Sequence, residues 1–196
     1  MNLPPNKIFD FLHEVYTVMD ECCKRHKLFK VETIGDAYVI CSGLSLDGSI
    51  SSEVHSKQVN CLQKILDFAL DVNEKTALIK NPIDGSPIRI RIGLHAGPLL
   101  TGIVGELMPR FCLFGESVVV AARLEANGIV NQIHCSQDFV SNLATEFNAD
   151  TLSKYSHKDI SAVVIDKYIF KKRDPVNLKG IGEVESYLIT NTPCNQ

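Results

Sequence analysis

The chain has 196 residues, 45% of them hydrophobic and 22% charged, the composition of a folded globular domain with a sizeable core rather than a disordered tail. A formal net charge of −3 supplies no basic field for a nucleic-acid backbone, so DNA and RNA binding are not expected. No apolar run nears the roughly 20 residues that a membrane helix needs, and Met1-Asn2-Leu3-Pro4-Pro5 has no basic stretch leading into an apolar one, so neither a membrane segment nor a secretory leader is expected.

Cys22, Cys23, Cys41, Cys61, Cys112, Cys135 and Cys194 are scattered and form no CxxC pair. That pattern argues against a zinc site and a disulfide framework. It points to small core residues in a reducing, cytoplasmic compartment.

In chain order, Ile8, Leu12, Val15, Met19 and Cys22 recur at helical spacing, which predicts a helix from Lys7 to Lys24. Pro4 and Pro5 suit its start, and Lys24, Arg25 and His26 suit its negative end. Leu28 to Ile34 and Ala37 to Cys41 read as two strands joined by Gly35-Asp36, a link with glycine first, as a type II′ turn requires. Alternation puts Glu32 on the Lys30 face of its strand. A Gly/Ser-rich loop from Ser42 to Ser52 precedes a second helix, from about Glu53 to Ala77.

Asn81 to Pro87 reads as a loop, and Ile88 to Gly93, strictly alternating, as a strand. The glycines at 93, 97, 102 and 105 fit neither the GxxxxGK[ST] phosphate loop nor GxGxxG, so they read as tight turns and close packing. Phe111 to Phe114 is a short strand, Ser117 to Ala126 a helix and Gln132 to Ser136 a strand. Gln137 to Phe147 follows as a helix capped by Ser136. The stretch from Asn148 to Lys172 is less regular, with strand character at Ala162 to Ile165 and Tyr168 to Phe170. A Gly-containing turn and a final strand close the chain between Leu178 and Thr190. Helices and hairpins mix without strict alternation, so the expected class is α+β with a largely antiparallel sheet, in one domain over residues 1–196.

Taken singly, the polar candidates have ordinary explanations. Asp36 at a hairpin tip can hold Mg²⁺, which takes one or two carboxylates plus phosphate oxygens, but it equally fits a solvated turn. Glu32 fits a solvent-facing strand, Cys112 a core thiol, Arg123 an exposed helix face and Lys179 a surface turn.

Together they are specific. Val31-Glu32-Thr33-Ile34-Gly35-Asp36-Ala37-Tyr38 is followed by Arg91-Ile92-Gly93-Leu94-His95-Ala96-Gly97-Pro98 and by Gly102-Ile103-Val104-Gly105. Met108-Pro109-Arg110-Phe111-Cys112-Leu113-Phe114-Gly115 and Asn177-Leu178-Lys179-Gly180 complete the series. The set resembles the catalytic domain of class III nucleotide cyclases, the eukaryotic guanylyl cyclases above all.

The resemblance implies a ferredoxin-like βαββαβ core and a dimer, homo- or heteromeric, of two cyclase domains with sites in the cleft between them. It implies conversion of GTP to cyclic GMP and pyrophosphate by attack of the ribose 3′-oxygen on the α-phosphate, assisted by two Mg²⁺ or Mn²⁺ ions. By residue, it implies that Asp36 is a metal ligand and that Glu32 and Cys112 read the guanine edge. Arg123 would stabilise transition-state charge, and Lys179 would bind the triphosphate.

The chain departs from the family pattern in several places. The family's first metal aspartate lies in a Phe-x-Asp-Ile-x-Gly-Phe-Thr strand before the first helix, which this chain is expected to lack. A family asparagine is Val119, Ile181 replaces a second lysine, and residues 148–172 look longer than usual. Little or no activity is therefore expected of the chain alone. The same departures allow a cyclase-like pseudoenzyme with a dimerisation or regulatory role, and an adenylate cyclase with atypical base readers is a third reading.

Overall fold

A Pro-Pro start and apolar side chains at helical spacing produce the first helix, α1 (Pro5–Arg25), in the computed structural model, which describes residues 3–44, 60–147, 153–157 and 160–189. The missing N–H of Pro5 falls where a helix has no use for it, and Lys24 and Arg25 occupy the last turn. The chain divides into two compact units, Met1–Ile90 and Arg91–Gln196.

In the first unit, α1 buries Val15, Met19, Cys22 and Cys23 in one core with Phe68 and Val72 of α2 (Cys61–Thr76), Leu28 and Ile79. Asp71 of α2 accepts from Arg25 at 2.7 Å and pairs with His26 at 3.1 Å, tying the end of α1 to α2. The part of the expected second helix before residue 60 lies outside the described residues. Strands β1 (Phe29–Ile34) and β2 (Ala37–Cys41) form an antiparallel hairpin beside α1.

The second unit contains β3 (Ile92–Leu94), β4 (Leu100–Val104), β5 (Arg110–Phe114), α3 (Glu116–Ala126), β6 (Ile133–Ser136) and α4 (Gln137–Glu146). Four more strands follow: β7 (Ser153–His157), β8 (Ile160–Ile165), β9 (Tyr168–Leu178) and β10 (Gly182–Ile189). Six strands make one sheet in the order β3-β6-β10-β9-β8-β7, in which only β3 and β6 run parallel. β4 and β5 form a separate antiparallel ribbon. The fold is α+β with a largely antiparallel sheet. Every residue of β6 is buried, and α4 closes over it with Phe139, Val140 and Leu143. Ser136 caps α4 by accepting from the Phe139 amide at 3.1 Å. Cys22, Cys23, Cys41 and Cys135 are buried free thiols.

Three expectations need correction. The strand expected over Ile88 to Gly93 is confined to Ile92–Leu94, because its ladder partner β6 offers only Ile133, His134 and Cys135; Ile88 and Ile90 instead pack on the core of the first unit. The glycine-rich stretch after Gly97 contains a strand, β4, not only turns. The stretch from Asn148 to Lys172, read as less regular, has strands where strand character was expected at Ala162 to Ile165 and Tyr168 to Phe170, but it also carries β7, and β7, β8 and the start of β9 form an antiparallel meander, while residues 148–152 and 158–159 lie outside the described residues. Pro175 hid the length of β9. It sits at a bulge, where Asp174 and Pro175 together face Glu185, so its missing N–H breaks no regular ladder bond.

Gly93 is where β3 meets α3. A Cβ there would lie 2.3 Å from the Ala121 carbonyl oxygen and 2.4 Å from the Glu125 amide nitrogen. Both obstacles are backbone, so neither can swing aside. Gly93→Ala is expected to force α3 off the sheet and to cost at least the ~1–3 kcal/mol typical of overpacking. Urea denaturation of the variant beside the parent checks this, and an unchanged midpoint would refute the close approach.

Candidate functional site

The hairpin of the first unit presents two of the expected site residues. Ile34 pairs with Ala37, leaving Gly35 and Asp36 as the turn. Gly35 has φ +61° and Asp36 is not among the positive-φ residues, the signature of a type II′ turn. Asp36 is exposed at the tip and Glu32 is half-buried on β1.

The register corrects the face of Glu32. Lys30 pairs with Ile40 but Glu32 pairs with Val39, so Val31 is the extra residue of a bulge. Ile40 and Val39 point to opposite faces, and paired residues share a face. Lys30 therefore lies with Ile40 and Tyr38 on the side of α1, and Glu32 on the other side. Without the bulge, Glu32 would compete for the space in which Lys30 meets Asp20.

Three hydrogen bonds pin the hairpin to α1. Asp20 accepts from the Lys30 ammonium at 2.7 Å and from the Tyr38 hydroxyl at 2.5 Å. Burial opposes its ionisation, but these bonds prevail and its pKa is lowered. Nearer the tip, the Tyr16 hydroxyl donates to the Gly35 carbonyl oxygen at 2.6 Å. Burial, then the charge of Asp36, raises the Tyr16 pKa, so the hydroxyl keeps its proton. Sequence reasoning missed Tyr16. Its signal was the polar pair Tyr16 and Asp20, one helical turn apart on a stripe facing the hairpin.

The second unit carries the rest. Cys112 is half-buried at the centre of β5, opposite Gly102 of β4, and its thiol makes only a long 3.7 Å contact to the Arg110 carbonyl. β5 runs through Gly115 into α3, which bears Val119 and Arg123. Val120 and Leu124, the inward stripe of α3, form a buried cluster with Leu178 at the end of β9. Leu178 leads directly into the turn that exposes Lys179. This one cluster thus sets both the helix of Arg123 and the turn of Lys179. Each fully buried aliphatic in it is worth ~1.5–3 kcal/mol.

The last turn of α3 is closely held. His134 is wholly buried, with Nδ1 2.8 Å from the Leu124 carbonyl and Nε2 2.9 Å from Ser186 Oγ. A carbonyl only accepts, so Nδ1 carries the proton and the Ser186 hydroxyl donates to Nε2. The Asn127 amide donates to the Arg123 carbonyl at 2.9 Å, and Arg173 donates to the Asn127 carbonyl at 2.7 Å. Arg91 and Glu125 pair at 2.8 Å.

Among the described residues, the side chains of Glu32, Asp36, Arg123 and Lys179 form no ion pair, unlike Lys30, Arg91 and Lys172. No group of three or more His, Cys, Asp or Glu able to hold a metal occurs among them either. Asp36 is a single hard oxygen donor. It suits an ion that takes most of its ligands from phosphate and water, and it cannot form a metal cage alone. Val119 is 45% exposed, an aliphatic side chain one turn before Arg123 on the same stripe. No helix among the described residues is long and apolar enough to cross a membrane.

The model of the adenylate and guanylate cyclase catalytic domain family matches residues 1–191. The chain is 39% identical over 132 residues to the rat guanylate cyclase soluble subunit beta-2, covering 67% of this chain and 18% of that one. It is 34% identical over 187 residues to mouse guanylate cyclase D, covering 95% and 14%. It spans about a fifth or less of the length of these curated relatives. Among solved structures, the guanylate cyclase domain of RhGC from Catenaria anguillulae in complex with GTP superposes with a TM-score of 0.73 at 26% identity, over 96% of this chain and 86% of that one. A rhodopsin-guanylyl cyclase core with converted specificity, in complex with ATPαS, gives a TM-score of 0.71 at 26% identity over 96% and 85%.

Burial lowers the pKa of both His134 and His95, the latter held 2.8 Å from Ser136 Oγ. Below the ordinary value of 6.5 the unfolded chain then binds more protons than the folded one. The contribution of these histidines is complete above pH 6.5 and is lost as pH falls through their lowered folded values. The urea midpoint at pH 5.5 is therefore expected to lie below that at pH 7.5, and His134→Gln is expected to narrow the gap. A gap that the substitution leaves unchanged would exclude His134 as its source.

Proposed function

Because the chain belongs to the adenylate and guanylate cyclase catalytic domain family, we propose that it is the catalytic domain of a guanylate cyclase, residues 1–196 acting as one domain. The observation that carries this reading is that the Val120, Leu124 and Leu178 cluster holds the helix of Arg123 against the strand end that leads to Lys179, two cations without an ion pair among the described residues. A triphosphate needs such charges held in place and not already neutralised. The neighbour with GTP bound supports the choice of substrate class.

In the proposed reaction the ribose 3′-oxygen attacks the α-phosphorus, its proton departs, and the bond to pyrophosphate breaks. Lys179 holds the triphosphate. Arg123 donates to the α-phosphate oxygens as charge grows on them, an interaction most valuable in the transition state. Glu32 accepts from the guanine N1–H and exocyclic amine, and the Cys112 thiol donates to O6. Asp36 would hold Mg²⁺ or Mn²⁺, which when bound neutralises charge on the phosphates and favours loss of the 3′ proton.

The partner is a second cyclase domain, of the same or a related chain. Leu100, Ile103, Leu107 and Met108 of the β4–β5 ribbon are 70%, 75%, 98% and 77% exposed, and a two-stranded ribbon with apolar side chains in water is marginal unless something covers it. Val119 supports a second reading, a subunit that binds nucleotide and partner but turns over slowly.

An assay of the full-length protein with Mn²⁺, GTP and ATP tests the proposal. Cyclic GMP is expected to exceed cyclic AMP, and Asp36→Asn or Arg123→Ala to lower it on the order of 100-fold or more. Glu32→Lys with Cys112→Asp reverses the donor and acceptor pattern and is expected to shift preference towards ATP, each mispaired group costing ~1–3 kcal/mol. An unmutated protein that already prefers ATP would refute the base-reading assignment.

Val119→Asn places a hydrogen-bond donor one turn from Arg123. It is expected to raise kcat by on the order of 10²–10³, the usual worth of a donor aimed at developing charge, with little change in KM. No gain would show that turnover is not limited at Val119.

A further inference from the structure

We propose that Tyr16 is a positioning residue for divalent-metal binding at Asp36, acting through the turn carbonyl that its hydroxyl holds. This inference rests on the cyclase reading above and extends it to a residue that touches neither metal nor nucleotide.

Asp36 sits at an exposed hairpin tip, and a two-residue turn leaves it one neighbour on each side. A bare hairpin tip rocks about its strands, whereas a metal-binding carboxylate must hold one direction. Mg²⁺ tolerates little departure from octahedral geometry, so a single protein carboxylate is useful only if it is pre-aimed.

The structure holds the tip at Gly35. The peptide between Gly35 and Asp36 is the plane that sets the orientation of Asp36, and its carbonyl oxygen accepts from Tyr16 at 2.6 Å. Fixing that oxygen fixes the plane of the Asp36 amide and the position of its Cα, and the pairing of Ala37 with Ile34 holds the backbone on the other side, so the direction of the Cα–Cβ bond is restricted.

Tyr16 is itself well anchored. Its neighbours on α1, Val15 and Met19, are buried core residues, and its ring lies 6.1 Å from that of Tyr38. Tyr38 is bonded in turn to Asp20 of the same helix. The rigid helix thus reaches the turn by one hydrogen bond and the middle of the hairpin by another set. The two are separable by mutation: Tyr16→Phe removes only the turn contact, while Asp20→Asn weakens only the mid-hairpin pin.

The test uses the full-length protein in its assembled dimer with 3′-deoxy-GTP, which lacks the attacking oxygen. Mn²⁺ binding is read from the electron paramagnetic resonance of the free ion. Tyr16→Phe is expected to raise the Mn²⁺ dissociation constant about threefold to tenfold, the fold-change of one lost hydrogen bond. Its melting temperature should match that of Asp20→Asn or exceed it. In turnover with GTP, the Tyr16→Phe loss should appear at low Mn²⁺ and disappear at high Mn²⁺, a pattern that a general loosening of the fold does not give.

The inference is overturned if Asp36→Asn weakens Mn²⁺ binding and Tyr16→Phe does not, or if Asp20→Asn weakens it as much as Tyr16→Phe. If Asp36→Asn itself leaves Mn²⁺ affinity unchanged, the metal-site reading of Asp36 has failed, and that failure is distinct from a failure of Tyr16.

Discussion

The burial of Val120 and Leu124 of α3 against Leu178 is the contact on which the second unit depends. It joins a helix to a strand end distant in sequence, and the helix bears Arg123 and the turn after the strand Lys179, neither in an ion pair among the described residues. Three further constraints hold the helix. Gly93 lets its backbone come within touching distance of β3, His134 occupies the Leu124 carbonyl from below, and Asn127 with Arg173 closes the last turn. None of these groups is itself a candidate for touching substrate. They supply the rigidity that the proposed role of Arg123 would need, because charges that must reorganise during reaction lose most of their advantage.

The first unit solves a different problem, that of presenting carboxylates without neutralising them. α1 and the hairpin are joined through ionic and hydroxyl contacts, yet those contacts are made by Asp20, Lys30, Tyr38 and Tyr16. The Val31 bulge is what separates the two sets. It turns Glu32 away from the Lys30 side, where a second carboxylate would have found an ammonium ready to pair. A one-residue irregularity thus keeps the Glu32 carboxylate apart from the Lys30 ammonium, while the Asp20 carboxylate on α1 serves stability.

Much of this was legible in the sequence because it was periodic or local. The spacing of Val15, Met19 and Cys22 gave α1, the Gly35-Asp36 pair gave the turn type, and Ser136 gave the cap of α4. Alternation, however, reports which side chains differ in polarity and not whether a partner edge exists. Ile88 to Gly93 alternates because Ile88 and Ile90 pack on a core, yet pairing begins only at Ile92. The length of β9 past Pro175 and the face of Glu32 were hidden for a related reason, since a bulge is a property of two strands in register and one strand's residues cannot show it. Of the candidate site, residue types and positions came from motifs, whereas Tyr16, His134 and Asn127 act through backbone carbonyls, and a carbonyl leaves no trace in a residue code.

Val119 separates two quantities that a family pattern usually ties together. Binding of a triphosphate depends on charges present in the ground state, and Lys179 and Arg123 keep theirs. Rate depends on contacts that strengthen only as charge moves onto the phosphate oxygens, and an exposed valine one turn from Arg123 offers none. Uniform binding lowers KM without raising kcat. Under the proposed cyclase reading, such a domain would hold GTP while converting it more slowly than one with an asparagine at this place. In a dimer the consequence depends on the arrangement. In the proposed dimer, a like copy would carry the same valine to both sites, whereas a related chain with an asparagine there would restore one of them. Under that reading an unlike partner would recover a donor which the chain itself no longer supplies, and the gain would appear in rate and not in the strength of association.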